Sequence, residues 1–388
     1  MNDEKLRKDA EDVWASEVDT LDEISGLSHP NIIQRVAAIT RGRQRFLMFL
    51  WADGGNLRDY WIANPNPTLT AALVRDVIEQ LRGMAEALKT LHEYKDQTHY
   101  RHGDIKPENI LNFKSQDKSR MGTFKVSDMG SAKRHSVATR LRERTGGKAF
   151  ATMVYQAPEA ITNKLAPGSR LYDIWSMGCV TLEFMVWLLY GYQELKEFSG
   201  RIKGNLDEPC SFFRVEQVEQ EDHSIRLVAK IHPAVQLCLE DLSENPESAE
   251  NTALGDLLGI IKTKLLIIAL PERTESSADR AKFSPENSNI NFTISQPFGR
   301  HRTSAAGFVK ALDDILQHQN AKNNEKYWCT GRSRHNLRLS RTISNPTPGS
   351  THLSVEWKPQ SGPKASQSNI PTSLAIGLDQ IHNVRART

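Results

Sequence analysis

Apolar residues recur at steps of three and four across residues 5–27, where Trp14, Val18, Leu21 and Ile24 share one face, and this spacing predicts an amphipathic helix. Gly26 and His29-Pro30-Asn31 end it. Residues 31–39 and 45–50 read as two strands around an Arg41-Gly42-Arg43 turn. After the Asp53-Gly54-Gly55 turn, Asn56 to Trp61 opens a helix, and residues 70–94 form a long one with Val74, Val77, Ile78, Leu81, Met84, Leu88 and Leu91 on a single face. Residues 110–113 and 123–126 predict two short strands around a polar turn, and the basic, Gly/Ser/Thr-rich segment 131–148 predicts a mobile loop. From 155 to about 320 the pattern is mainly helical. Polar stretches at 200–222 and 271–302 interrupt it, the second reading as an inserted loop. Residues 321–388 are rich in Ser, Thr, Pro and Asn, without periodicity, and read as a disordered tail.

Composition changes this picture little. The 388 residues, 38% hydrophobic and 25% charged, describe a globular chain long enough for one large domain or two ordinary ones. The net charge of +3 is uneven: from residue 321 onward ten Lys/Arg face three Asp/Glu, a balance of +7, which leaves −4 for the preceding body. Cys179, Cys210, Cys238 and Cys329 are scattered, with neither metal-ligand spacing nor a disulfide framework, and imply a reducing compartment. The charged start, Met1 to Asp12, is no signal peptide, and the apolar run 175–192 carries Glu183 and reads as a buried helix, not a membrane span. A cytoplasmic or nuclear location follows as the expectation. No nucleic-acid partner is expected, and the oligomeric state is left open.

The chemistry concentrates in Tyr100-Arg101-His102-Gly103-Asp104-Ile105-Lys106-Pro107-Glu108-Asn109-Ile110-Leu111. An Asp to accept or orient a hydroxyl proton, a Lys to neutralise a transferred phosphate and an Asn to hold magnesium stand at fixed offsets in a short loop. The loop resembles the H-R-D-x-K-x-x-N catalytic loop of protein kinases in its Ser/Thr-type form, with Gly103 in place of the Arg. Ser127-Asp128-Met129-Gly130 resembles D-F-G, with Met129 for Phe. Ala151-Thr152-Met153-Val154-Tyr155-Gln156-Ala157-Pro158-Glu159 resembles the G-T-x-x-Y-x-A-P-E end of the activation segment, and Tyr172-Asp173-Ile174-Trp175-Ser176-Met177-Gly178 resembles the start of the family's central buried helix.

The resemblance implies an α+β, two-lobe kinase-like fold, with a partial β-rich N-lobe and a mainly helical C-lobe. It implies a domain over residues 1–320, with partial N-lobe and hinge at 1–52, C-lobe at 53–320, and the tail at 321–388. ATP and Mg2+ are the implied cofactors, and a protein bearing Ser or Thr is the implied substrate. Asp104 is the expected catalytic base, Lys106 the phosphate-neutralising cation, and Asn109 and Asp128 the magnesium ligands, with the Thr152 hydroxyl meeting Asp104 and Lys106. Phe49 as gatekeeper, Leu50 and Ala52 as backbone contacts to adenine, and Leu111 complete the nucleotide site. Glu159 is expected to pair with Arg302 in a buried bridge, Asp173 to anchor the catalytic loop, and Glu17 to play the part of the regulatory-helix glutamate.

Two family features have no counterpart before Glu17: no G-x-G-x-x-G, the first glycine being Gly26, and no strand lysine. With Gly103 in place of the Arg, the resemblance implies no receptor for an activation-segment phosphate. The leading reading is a protein serine/threonine kinase represented by a chain short of its first N-lobe strands. The alternative is a pseudokinase or interaction scaffold. A small-molecule kinase is a third reading, opposed by Lys106 and by Ala157-Pro158-Glu159.

Overall fold

The computed structural model describes residues 27–42, 44–94, 100–128, 133–134, 154–162, 169–202, 211–219, 223, 225–270, 301–321 and 324–331. Contacts divide the chain into residues 1–342 and 343–388, and all described residues lie in the first unit. The expected helix at 5–27 with Glu17, the bulk of the 131–148 loop, Thr152, the inserted loop up to residue 300 and the tail from 332 lie outside the described residues.

The chain enters through the 29–33 segment, which is fastened to the large lobe. Asn31 donates from Nδ2 to the Phe124 carbonyl at 2.8 Å, and the Ile33 amide donates to the Val126 carbonyl at 2.9 Å. Strands β1 (Arg35–Arg41) and β2 (Gln44–Phe49) then form an antiparallel hairpin in which Ile39 faces Phe46. Helix α1 (Leu57–Ala63) begins with a capping box: Asn56 accepts from the Asp59 amide while Asp59 accepts from the Asn56 amide, satisfying two donors that a helix start leaves orphaned.

Helix α2 (Ala71–His92) starts at a Thr70 cap and buries the whole expected face from Val74 to Leu91. Two polar residues on that face, Asp76 and Gln80, accept the Met121 and Phe124 amides and so hold the turn that joins the next strands. After the two-residue strand β3 (Tyr100–Arg101), strands β4 (Ile110–Phe113) and β5 (Thr123–Val126) pair antiparallel with Ile110 opposite Val126. β3 pairs in turn with β6 (Lys133–Arg134), inside the segment expected to be a loop.

Past the short α3 (Glu159–Thr162) comes α4 (Leu171–Tyr190), in which every residue from Tyr172 to Leu189 is buried, Asp173 and Glu183 included. A helix apolar all round belongs inside a protein. Trp61 and Phe124 pack edge-on against Phe184, with centroids 5.2 and 6.1 Å away. Gly191 ends the helix at φ 87°, where a Cβ would meet the Pro65 carbonyl at 2.7 Å, so a side chain fits neither the backbone nor the space. Among the described residues no helix is long and apolar enough to cross a membrane.

Helix α5 (Tyr192–Ile202) leads to a feature absent from the expected helical pattern. Strand β7 (Phe213–Glu219), in the polar stretch expected to interrupt the helices, and strand β8 (Ile225–Ile231), in the part read as helical, form an antiparallel hairpin. Phe213, Val228 and Ala229 anchor it, and Trp175 packs edge-on against Phe213. Helices α6 (Pro233–Glu244), α7 (Ala253–Ile260) with its π-turn Ile261–Leu265, and α8 (Ala305–Leu316) complete the bundle.

The folded body also runs past the boundary expected at 320. Helix α9 (Glu325–Trp328) buries Tyr327 and Trp328. Trp328 Nε1 donates to the Ala321 carbonyl at 2.9 Å, and the Arg75 guanidinium lies 4.7 Å from the Trp328 ring centroid. Tyr327 donates to Asp256 at 2.7 Å, and the Thr330 amide and hydroxyl both hold the Glu247 carboxylate at 2.7 Å. Such apolar burial makes the strap part of the core. Trp328→Ala is expected to destabilise the fold by about 3–5 kcal/mol. Urea unfolding measures this, and an unchanged midpoint would show that the strap lies outside the cooperative unit.

Candidate active site

The loop between β3 and β4 carries the reactive groups, and its short 3-10 turn, Pro107–Asn109, points them back at one another. The Asp104 carboxylate accepts from Lys106 Nζ at 2.8 Å and from Asn109 Nδ2 at 3.0 Å. Asn109 Nδ2 also donates to the Asp104 carbonyl at 2.8 Å, which leaves its Oδ1 as an oxygen donor. Three residues that the sequence singled out for phosphoryl transfer are thus brought into contact.

Asp128 enters through the backbone. Ser127 donates to the Asn109 carbonyl from both its amide, at 2.8 Å, and its hydroxyl, at 2.9 Å. The Ser127 carbonyl accepts from His102 Nε2 at 2.8 Å, so the other ring nitrogen, Nδ1, is free to accept the Asp104 amide at 3.2 Å. The residue before Asp128 is therefore tied to both ends of the catalytic loop. Asp128 itself is exposed and holds φ at 61°, a left-handed conformation of the kind that concentrates at functional sites. Gly103 sits at φ 79°, which glycine adopts freely and an Arg would adopt only under strain.

Asp173 fixes the start of the loop from below, as the sequence led us to expect. Its carboxylate accepts the His102 amide and the Gly103 amide, each at 2.8 Å, and His92 Nε2, also at 2.8 Å. Burial pushes this carboxyl up, but the hydrogen bond from His92, the nearby His92 and His102 rings and the Gly103 amide outweigh it and hold it below its ordinary value. Glu159 and Arg302 form the expected bridge, two-pronged, with 2.7 and 3.1 Å between nitrogen and oxygen pairs. Arg302 is fully enclosed and also donates to the Ile267 and Leu171 carbonyls. Arg302 lies just before Ser304, which caps α8.

The residues expected to contact a nucleotide are placed less tightly. Phe49 ends β2, Leu50 is 59% exposed, and the Ala52 carbonyl already accepts the Gly55 amide at 3.1 Å. Leu111 lies on β4 and bridges to Asn56 at the start of α1.

One polar network escaped the sequence reading. Arg58 on α1 donates from Nε to Glu108 at 3.0 Å and from NH2 to the Tyr155 hydroxyl at 2.7 Å, and its NH1 lies 3.6 Å from Glu183. Tyr155 in turn donates to Glu183 at 2.8 Å. Burial pushes the Glu183 carboxyl up, with Arg58 and the Tyr155 hydrogen bond pulling the other way. Tyr155 stood in a recognised motif, but its partners lie 97 and 28 residues away in sequence, beyond any local pattern.

Asn109 Oδ1 and the Asp128 carboxylate are hard oxygen donors. They fit magnesium in the way that ion is commonly held, by one or two protein oxygens together with substrate phosphates and water. Among the described residues there is no group of three or more His, Cys, Asp or Glu suited to hold a metal by itself.

A family model of the protein kinase domain matches residues 1–248, and the chain belongs to that family. Similar proteins include serine/threonine-protein kinase cds1 of Schizosaccharomyces pombe, 32% identical over 178 residues, or 45% of this chain and 34% of that protein. 3-Phosphoinositide-dependent protein kinase B of Dictyostelium discoideum is 30% identical over 196 residues, 49% of this chain and 19% of its own length. Probable serine/threonine-protein kinase PBL2 of Arabidopsis thaliana is 32% identical over 176 residues, 44% and 36% respectively. The match therefore spans only between 19% and 36% of these relatives.

The Asp173 anchor has a pH signature. Its folded pKa lies below the ordinary 3.8, so its stabilisation is complete above that value and drains away as pH falls through the lower, folded one. Asp173→Asn is expected to destabilise the protein by about 3–5 kcal/mol at neutral pH. In urea titrations the gap to wild type should narrow below the ordinary value. A gap that stays constant into acid contradicts the assignment.

Proposed function

We propose that this chain transfers the γ-phosphoryl group of ATP to serine or threonine hydroxyls of protein substrates. The observation that carries the proposal is the joint contact of Lys106 and Asn109 with the Asp104 carboxylate, at 2.8 and 3.0 Å. In this reading Asp104 orients the substrate hydroxyl and accepts its proton. Lys106, already beside that carboxylate, offers its ammonium to the phosphoryl oxygens as the bond to the leaving group breaks. Asn109 Oδ1 and Asp128 hold magnesium, which when bound neutralises the triphosphate charge. Phe49, Leu50, Ala52 and Leu111 receive the adenine. Lys106 and the similarity to serine/threonine-protein kinases support Ser/Thr over Tyr as acceptor.

The alternative reading is an interaction scaffold with a kinase fold.

Transfer from γ-labelled ATP to peptides bearing Ser, Thr or Tyr separates the readings. The wild type is expected to label Ser and Thr peptides. Asp104→Asn is expected to lower the rate by about 10²- to 10⁴-fold with an unchanged melting temperature. A folded wild type that labels nothing, or an Asn variant as fast as wild type, contradicts the proposal.

A further inference from the structure

We infer that Arg58 is a positioning residue for the catalytic loop, tying the loop's second half to the core as Asp173 ties its first half. The inference rests on the reading of Asp104 and Asn109 given above.

Asp173 and Glu183 project from the same buried helix, α4. Asp173 grips the His102 and Gly103 amides directly. Glu183 does not reach the loop. Arg58 spans the distance, its guanidinium facing Glu183 at 3.6 Å on one side and Glu108 at 3.0 Å on the other. Glu108 is the middle residue of the 3-10 turn, and the next residue, Asn109, is the one bonded to Asp104. A displacement of Glu108 is therefore transmitted to the Asn109 amide group and to the carboxylate it holds.

The platform under Arg58 is itself fixed. Its helix starts with the Asn56/Asp59 capping box. The turn before it is stitched to β4, with the Gly54 amide donating to the Asn112 carbonyl at 3.0 Å and the Asn112 amide to the Gly55 carbonyl at 2.8 Å. Arg58 also lies 5.6 Å from the Trp61 ring centroid. The third prong of the guanidinium takes the Tyr155 hydroxyl, four residues before the Glu159 of the Arg302 bridge. A planar fork reaching acceptors on three elements is a task for arginine, because a lysine ammonium has no comparable fixed geometry.

A purely structural role competes with this: Arg58 would simply neutralise the buried Glu183. The two separate at Glu108, whose side chain is 45% exposed and can be removed without touching the Arg58–Glu183 pair. The test compares wild type, Arg58→Lys and Glu108→Ala in full-length protein, with steady-state kinetics and amide hydrogen exchange side by side. Positioning predicts that both variants lose about tenfold to a hundredfold in kcat, with the KM values for ATP and peptide within about twofold of wild type. It also predicts exchange about tenfold faster at the Asn109 and Ser127 amides, with the α4 amides unaffected. An unchanged kcat in Glu108→Ala, a change confined to peptide KM, or unaltered exchange at those amides overturns the inference. A wild type that transfers no phosphate would sink the catalytic reading, and the exchange comparison would still decide whether Arg58 holds the loop.

Discussion

The carboxylate of Asp173 accepts three hydrogen bonds inside the protein, from His92 and from two consecutive backbone amides. Backbone amides in a loop have no ladder to satisfy them, and a buried amide without a partner costs about as much as a lost hydrogen bond. The charge on Asp173 meets the same problem from the other side, since a buried carboxylate needs donors. Each solves the other's difficulty. The loop can therefore run close under the core, with Gly103 in a left-handed conformation and Asp104 meeting Lys106 and Asn109.

This geometry explains why so much of the protein is organised around one helix. α4 supplies Asp173 and Glu183, packs Phe184 against Trp61 and Phe124, and packs Trp175 against Phe213 and Arg302. The Arg302 guanidinium sits 5.1 Å from the Trp175 ring centroid and also donates to the Leu171 carbonyl, so the bridge to Glu159 ends on the same helix that holds the loop. Catalytic loop, activation-segment end and the β7–β8 hairpin share a single apolar reference. Hydrophobic burial holds that reference in place, while the polar contacts orient what hangs from it.

Much of the site was legible in the sequence because its parts are local. Asp104, Lys106 and Asn109 lie within one loop, and Asp173 opens a helix whose apolar run announces burial. The amphipathic period of α2 and the short strands β4 and β5 were equally plain. What escaped was non-local or lightly marked. Arg58 meets Glu108 from 50 residues away, and nothing in its neighbourhood distinguishes it from a solvated charge. The β7–β8 hairpin is interrupted by Glu216, Gln217 and Glu219, so its alternation is weak and its burial rests on Phe213, Val228 and Ala229. The strap after residue 320 was hidden by composition. Tyr327 and Trp328 stand side by side in a polar stretch, and that aromatic pair was the signal that could have found it.

The central proposal is that this loop, with Asp128 beside it, is a working magnesium–nucleotide site. The most direct measurement is the equilibrium affinity for ATP with and without Mg2+, in wild type, Asp128→Ala and Asp104→Asn. The account predicts binding that needs magnesium, that is lost in Asp128→Ala and that survives in Asp104→Asn. Binding indifferent to both the metal and Asp128, or no binding at all by the folded wild type, would contradict it.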